Sequence, residues 1–161
     1  FTAEPCVADC RVQFNIRAIQ NITESPVAEN ALSLAPVVVL GLGTAATSVP
    51  PFAAKTVTDY QICGKYSVAQ MNSATAASLG VHDGDKLRLT APNGTAVDAI
   101  VAVFEGVMPS SVSLVAGLGH TAFDDFSKGK GSNIISLLGI TREPGTNLPV
   151  WGTVGLKASR A

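Results

Sequence analysis

The residues best placed to hold a ligand are Gly117-Leu118-Gly119-His120, directly after the apolar run Val112 to Ala116. Glycine has no Cβ, so a loop built on it can bring backbone amides against a phosphate or a ring edge. Taken alone, the same four residues also read as a tight turn with a surface histidine. Asn133 is the second candidate, because its amide both donates and accepts. It competes with a local role, since Ser132 or Asn133 could simply cap the turn that follows. Lys128 and Lys130 alternate with Gly129 and Gly131 and could meet phosphates, but such a segment reads more naturally as a solvated loop. Gly41-Leu42-Gly43-Thr44-Ala45-Ala46 has the Gly-x-Gly-x-x-Ala form of a dinucleotide fingerprint. No helix follows, because Ser48-Val49-Pro50-Pro51 is extended, and a Rossmann reading is rejected.

No catalytic set assembles from the remaining residues. The chain has two histidines and three cysteines, and no motif surrounds any serine or cysteine. Cys6 and Cys10 lack the further ligands that zinc or an iron–sulfur cluster needs. They read as free or structural thiols, or as a disulfide pair in an oxidising compartment. Asp83 and Asp85 read as turn residues, Asp124-Asp125 as a solvated pair, and Trp151 as core or interface.

The elements that must position these residues are short. The stretch 1–34 has no clean period and is broken by Thr23-Glu24-Ser25-Pro26, so it reads as a connecting arm, with the domain proper over 35–161. Ala35 to Leu42 is expected to be a buried β-branched strand. Tyr66 to Met71 is a strand, capped into an Ala-rich helix over 73–79 by Asn72 and Ser73, with Gly80 at the left-handed C-terminal position. Val81 to Asp85 turns. Lys86 to Ala91 and Thr95 to Phe104 form a hairpin around Asn93-Gly94, expected as a type I′ turn. Gly106 to Pro109 turns again, Val112 to Ala116 is a strand, and Asn133 to Leu138 is a short helix or turn. A last strand is expected over 150–156. Brief strands with few helices indicate a mainly β fold, a barrel with helical inserts.

Composition narrows the partners. The 161 residues carry a net charge of −1, which offers no field for nucleic acid or an anionic membrane. Only 14% are charged and 47% are hydrophobic, a balance that suits a piece of a larger assembly or an Ala-rich compact domain. No apolar run approaches the about 18 residues of a membrane helix, so direct membrane insertion is not expected. No signal peptide or initiator Met stands at Phe1, which suggests a processed chain or an excised fragment.

Asn72 to Asp85 (NSATAASLGVHDGD) resembles the Asn-Pro-x-Asp-Ala-x-x-x-Gly-Ile-x-Asp-Gly-Asp segment of the molybdopterin dinucleotide-binding domain. That domain ends the large subunits of the dimethyl sulfoxide reductase superfamily. The hairpin at Asn93-Gly94, the Gly106-Val107-Met108-Pro109 step and the Gly117-to-His120 turn follow in the family's order. Ser132-Asn133 and the closing Thr146 to Pro149 and Val154 to Lys157 do too. Ser73 and Thr75 stand where the family has Pro and Asp. The segment from Pro50-Pro51 to Asp59 is most similar to the tetrathionate and polysulfide reductase branch.

The resemblance implies a double-psi β-barrel that wraps one side of molybdopterin guanine dinucleotide, with molybdenum or tungsten held by other domains. It implies a cofactor site of Gly117, Gly119, His120 and Asn133, joined by Thr44, Ser48 and Asn72. It implies as partners the remainder of an oxidoreductase large subunit and its electron-transfer subunits, in a periplasmic or membrane-associated respiratory complex. The parent activity would be that of a sulfur-compound reductase. Two other readings stand beside it. One is a structural homologue without cofactor, docked in a respiratory complex. The other is a self-cleaving enzyme resembling aspartate decarboxylase, cut at Gly131-Ser132.

Overall fold

The computed structural model describes residues 31–39, 42, 58–121, 125, 127–138, 141–142, 149–150 and 154–161. Residues 1–30 of the expected arm, Cys6, Cys10, Thr44, Ser48, Asp124 and Trp151 lie outside them.

Six strands close on themselves. They are β1 (Leu32–Val37), β3 (Tyr66–Met71), β4 (Lys86–Thr90), β5 (Ala96–Val103), β6 (Ser111–Val115) and β9 (Gly155–Arg160). The order around the wall is β3-β5-β4-β9-β1-β6, and a β3–β6 pairing at Gln70 and Ser113 shuts the ring. β1 runs parallel to β6, and β3 parallel to β5. Two such crossed parallel pairs in one closed sheet make the double-psi β-barrel. β2 (Ile62–Cys63) extends the sheet beside β3, and β7 (Thr141–Arg142) pairs with β8 (Pro149–Val150).

Side-chain periodicity follows from closure. β4 and β5 bury every second residue, so Leu87, Leu89, Val97, Ala99 and Val101 point inward while Lys86, Arg88 and Ala96 face out. β3 and β6 are buried almost continuously, as strands covered on both faces must be. The core gathers these residues with Leu32, Leu34, Met71, Val112, Leu114 and Leu156.

The connection from β3 to β4 is α1 (Ser73–Leu79). The Asn72 side chain accepts from Thr75 N at 2.8 Å, and the Asn72 carbonyl accepts from Ala76 N at 3.0 Å. Gly80 closes the helix at φ 65°, its N–H donating to Ala77 O while Val81 N donates to Ala76 O. That is the Schellman pattern, which only a left-handed residue completes. Asp83 and Asp85 are committed to the next turn. Asp83 accepts from Val103 N, and Asp85 accepts from His82 N, which holds the Asp85 carboxyl below its ordinary range with help from Arg160.

Three expectations change. β1 begins at Leu32 and ends at Val37, and Ala35 to Val38 are exposed rather than buried. Pairing with β6 and β9 fixes its register, and branched apolar content cannot say whether anything covers the outer face. The hairpin turn is not type I′, because Asn93 has no positive φ. Gly94 N donates to Ala91 O at 2.9 Å and Gly94 sits at φ 83°, so Pro92 and Asn93 form a type I turn ended by a glycine bulge. Proline fixes φ near −65° and suits the first corner of that turn. The last strand is Gly155–Arg160 rather than 150–156, because its partner is β4, with Leu89 opposite Ala158.

If the Asn72 cap is the chief local support of α1, Asn72→Ala lowers the stability of the full chain by about 1 kcal/mol. Urea unfolding measures it, and a loss of a few tenths or less would show that packing alone holds the helix.

Candidate functional site

β6 delivers the glycine loop to one end of the barrel. Gly117 and Gly119 take φ of 97° and 84°, conformations a side chain resists. A Cβ on Gly117 would overlap the Leu42 carbonyl, and one on Gly119 would overlap the Ser132–Asn133 peptide. The close approach these glycines permit is therefore to the chain's own backbone. The loop is stapled to the segment 127–133. Gly119 N donates to Lys130 O at 2.8 Å and Gly129 N to His120 O at 3.0 Å. Gly131 N donates to Lys65 O at 2.9 Å and Ser132 N to Ser67 Oγ at 2.8 Å, which anchors the segment to the start of β3.

Gly117, Gly119, His120 and Asn133 are thus brought together. His120 is half-buried, with Nε2 3.1 Å from Gly117 O. A carbonyl only accepts, so in this contact Nε2 is the donor, and Nδ1 has no partner among the described residues. Asn133 caps the 3₁₀ turn Ile134–Leu137, its Oδ1 accepting from Ile135 N at 3.1 Å. Its Nδ2 has no partner among the described residues and is exposed. Capping and ligand binding are therefore compatible: one end of the amide holds the turn and the other faces out. The hairpin supports the same turn, since Asn93 Nδ2 donates to Ser136 O at 3.0 Å.

Asn72 stands apart. It follows the far end of β3, where Ser110 N donates to Thr75 Oγ1, whereas the glycine loop meets the near end. Lys128 and Lys130 flank the site and make no ion pair among the described residues. Also among the described residues, no group of three His, Cys, Asp or Glu stands where it could hold a metal ion. No helix there is long and apolar enough to cross a membrane. A ring nitrogen, an outward amide and flanking ammonium groups suit the edge and phosphates of a pterin dinucleotide.

The family model described as "Molydopterin dinucleotide binding domain" matches residues 52–147. This chain belongs to that family. As a molybdopterin dinucleotide-binding domain it is 45% identical, over 130 residues, to the menaquinone reductase molybdopterin-binding-like subunit of Nitratidesulfovibrio vulgaris. The match covers 81% of this chain and 19% of that protein. It is 31% identical over 80 residues to the arsenate respiratory reductase molybdopterin-containing subunit of a Shewanella species, covering 50% of this chain and 8% of that one. The chain therefore spans less than a fifth of the length of these curated relatives. Among solved structures, acetylene hydratase from Pelobacter acetylenicus aligns with a TM-score of 0.59 at 16% identity, over 83% of this chain and 19% of its own. That likeness establishes a shared fold. The family supports a molybdopterin dinucleotide as the domain's cofactor.

One feature beside the glycine loop escapes sequence reading. Lys65, Tyr66, Arg88, Asp98, Gly131 and Ser132 line an open cleft of about 300 Å³ on the outer wall. Arg88 grips Asp98 through two bonds of 2.7 and 3.1 Å, which holds that carboxyl below its ordinary range. The period-two pattern of β4 marks Lys86 and Arg88 as outward, but nothing local pairs them with Lys65 or Ser132.

Proposed function

We propose that this chain is the cofactor-embracing domain of a larger molybdopterin oxidoreductase. In this reading Gly117 to His120 and Asn133 hold the pterin end of molybdopterin guanine dinucleotide. The observation that carries it is the seating of Gly119 on the Ser132–Asn133 peptide, which joins the His120 ring and the Asn133 amide in one unit. His120 Nδ1 accepts and Asn133 Nδ2 donates, which suits the mixed edge of a pterin. Thr44 and Ser48 belong to the same reading as residues after the first strand, and Asn72 to a purely capping role. When bound, the group supplies the metal centre that exchanges electrons with a small substrate. This domain supplies binding and orientation, and the metal's protein ligand comes from elsewhere in the large subunit. Respiratory partners follow from the names of the relatives. Those names, menaquinone and arsenate, give no support to a sulfur-compound substrate.

The test uses the complete large subunit carrying His120→Ala and Asn133→Ala together. Pterin and metal content per chain should fall at least tenfold, since two hydrogen bonds at about 1 kcal/mol or more each are lost. Content equal to the parent's would sink the site assignment.

A second reading is favoured by one observation. The 45%-identical relative is named molybdopterin-binding-like. A domain that keeps the barrel and its self-packed glycines without cofactor, docked in a respiratory complex, fits that name. Pterin and molybdenum analysis of the native assembly separates the two, because cofactor recovered in stoichiometric amount excludes the second.

A further inference from the structure

The cleft on the outer wall is rich in donors and short of an acceptor. At its rim, outside the lining itself, Lys86 Nζ donates to Tyr66 Oη at 2.9 Å and stands 4.3 Å from the ring centroid. Lys65 Nζ stands 5.4 Å from the same centroid. Two ammonium groups are thus gathered on one ring, and neither makes an ion pair among the described residues. Both are within range of the ring's negative face, which orients them but does not neutralise them. Asp98 is the acid of the lining, and Arg88 occupies both of its oxygens. Because Tyr66 Oη accepts from Lys86, its own proton is free to donate. Among the described residues Ser132 Oγ makes only a long contact of 3.5 Å with Asp98 O and can turn outward.

We propose that this cleft binds a phosphoryl dianion through Lys65, Lys86, the Tyr66 hydroxyl and Ser132. Lys65 and Arg88 of the lining, with Lys86 beside it on Tyr66, set three cations against Asp98, a local excess of two positive charges on a chain whose net charge is −1. That excess matches a dianion and focuses field into a concave wall. Ammonium groups bind phosphate as point charges from several directions, whereas a planar carboxylate would favour the flat fork of Arg88, which is already taken. The Tyr66 phenol reports the same field. It is held below its ordinary pKa, first by the Lys86 hydrogen bond and further by the charges of both lysines. The chemistry is shared by free orthophosphate and by the phosphate of a nucleotide. The site is built from this chain's residues and stands whether or not a pterin is held at Asn133.

The test is calorimetric titration of the full chain with inorganic phosphate, with adenosine monophosphate and with acetate. Saturable one-to-one binding of phosphate is expected, with acetate at least tenfold weaker. Lys65→Gln and Lys86→Gln should each weaken phosphate binding about tenfold, the loss of one charge-assisted bond. Lys157→Gln, on the outer face of β9, should leave it unchanged. In a Tyr60→Phe background, absorbance near 295 nm follows Tyr66 alone, and bound phosphate should raise its titration midpoint. Binding of both phosphate and the nucleotide supports recognition of the phosphoryl group itself. Binding of the nucleotide alone, lost in the Lys65 and Lys86 variants, supports an esterified source. Equal binding of acetate, an equal loss in Lys157→Gln, or no saturation overturns the proposal.

Discussion

Gly119→Ala is expected to destabilise the full chain by about 3 kcal/mol or more, a class of effect reserved for overlap and backbone strain combined. The strain is the cost of placing a side chain at φ 84°, of order 1–2 kcal/mol. The overlap is separate and larger. The new methyl would enter the Ser132–Asn133 peptide, which is backbone and cannot rotate away. Moving that peptide would break the bonds from Ser132 N to Ser67 Oγ and from Gly119 N to Lys130 O. Gly94 provides the internal comparison. It sits at nearly the same φ, 83°, with nothing within 4 Å of an added Cβ. Gly94→Ala should therefore cost only the strain. Urea unfolding of both variants separates the two contributions, and equal losses would show that the loop and Asn133 are not in contact.

The comparison bears on what a glycine signature means. Read in the sequence, Gly117 and Gly119 suggest room for a ligand. In the structure that room is filled by Leu42 and Asn133, and under the proposed function the glycines would serve the ligand indirectly, by locking His120 and Asn133 to one another. Gly119→Ala would then empty the cofactor site by disordering it, not by blocking it.

Local chemistry was legible and pairing was not. The cap at Asn72, the left-handed Gly80 and the Asp83-Gly84-Asp85 turn each announce themselves within a few residues, and each forms as read. The hairpin forms where Asn93-Gly94 marks it, but its turn is type I with a glycine bulge, because Pro92 fixes the first corner. Apolar content alone points to Val150 to Leu156 for the last strand, whereas it runs over Gly155–Arg160. Its true extent is set by β4, far away in the chain, against which Leu156 and Ala158 alternate with Lys157 and Ser159. The cluster of Gly117, Gly119, His120 and Asn133 was legible only as a family likeness. Neither end of the loop carries a signal that Gly119 will pack on Asn133. The outer cleft draws on β3, β4, β5 and the segment before Asn133, so no window of sequence contains it.

Leu114→Ala is expected to cost about 3–5 kcal/mol, the range for leucine truncation where the surroundings cannot collapse. Leu114 is completely buried in β6. That strand pairs with β1 on one side, with Pro36 opposite Leu114, and its neighbour Ser113 meets Gln70 of β3 where the ring shuts. A closed barrel has no free edge along which strands can slide inward, so the cavity stays largely open. Against a typical total of 5–15 kcal/mol, the loss is a large fraction of the fold's stability. At about 2–4 °C per kcal/mol for a domain of this size, the thermal midpoint should fall by roughly 10 °C. Met108→Ala, at an exposed position, should change stability by no more than about 0.5 kcal/mol. A Leu114→Ala loss under about 1 kcal/mol would mean that the ring does not close at β6. The consequence reaches the site, because Val115 and Ala116 link Leu114 directly to Gly117. A barrel loosened at β6 can no longer hold the loop against Asn133, so cofactor retention should fall with stability even though no ligating residue is changed.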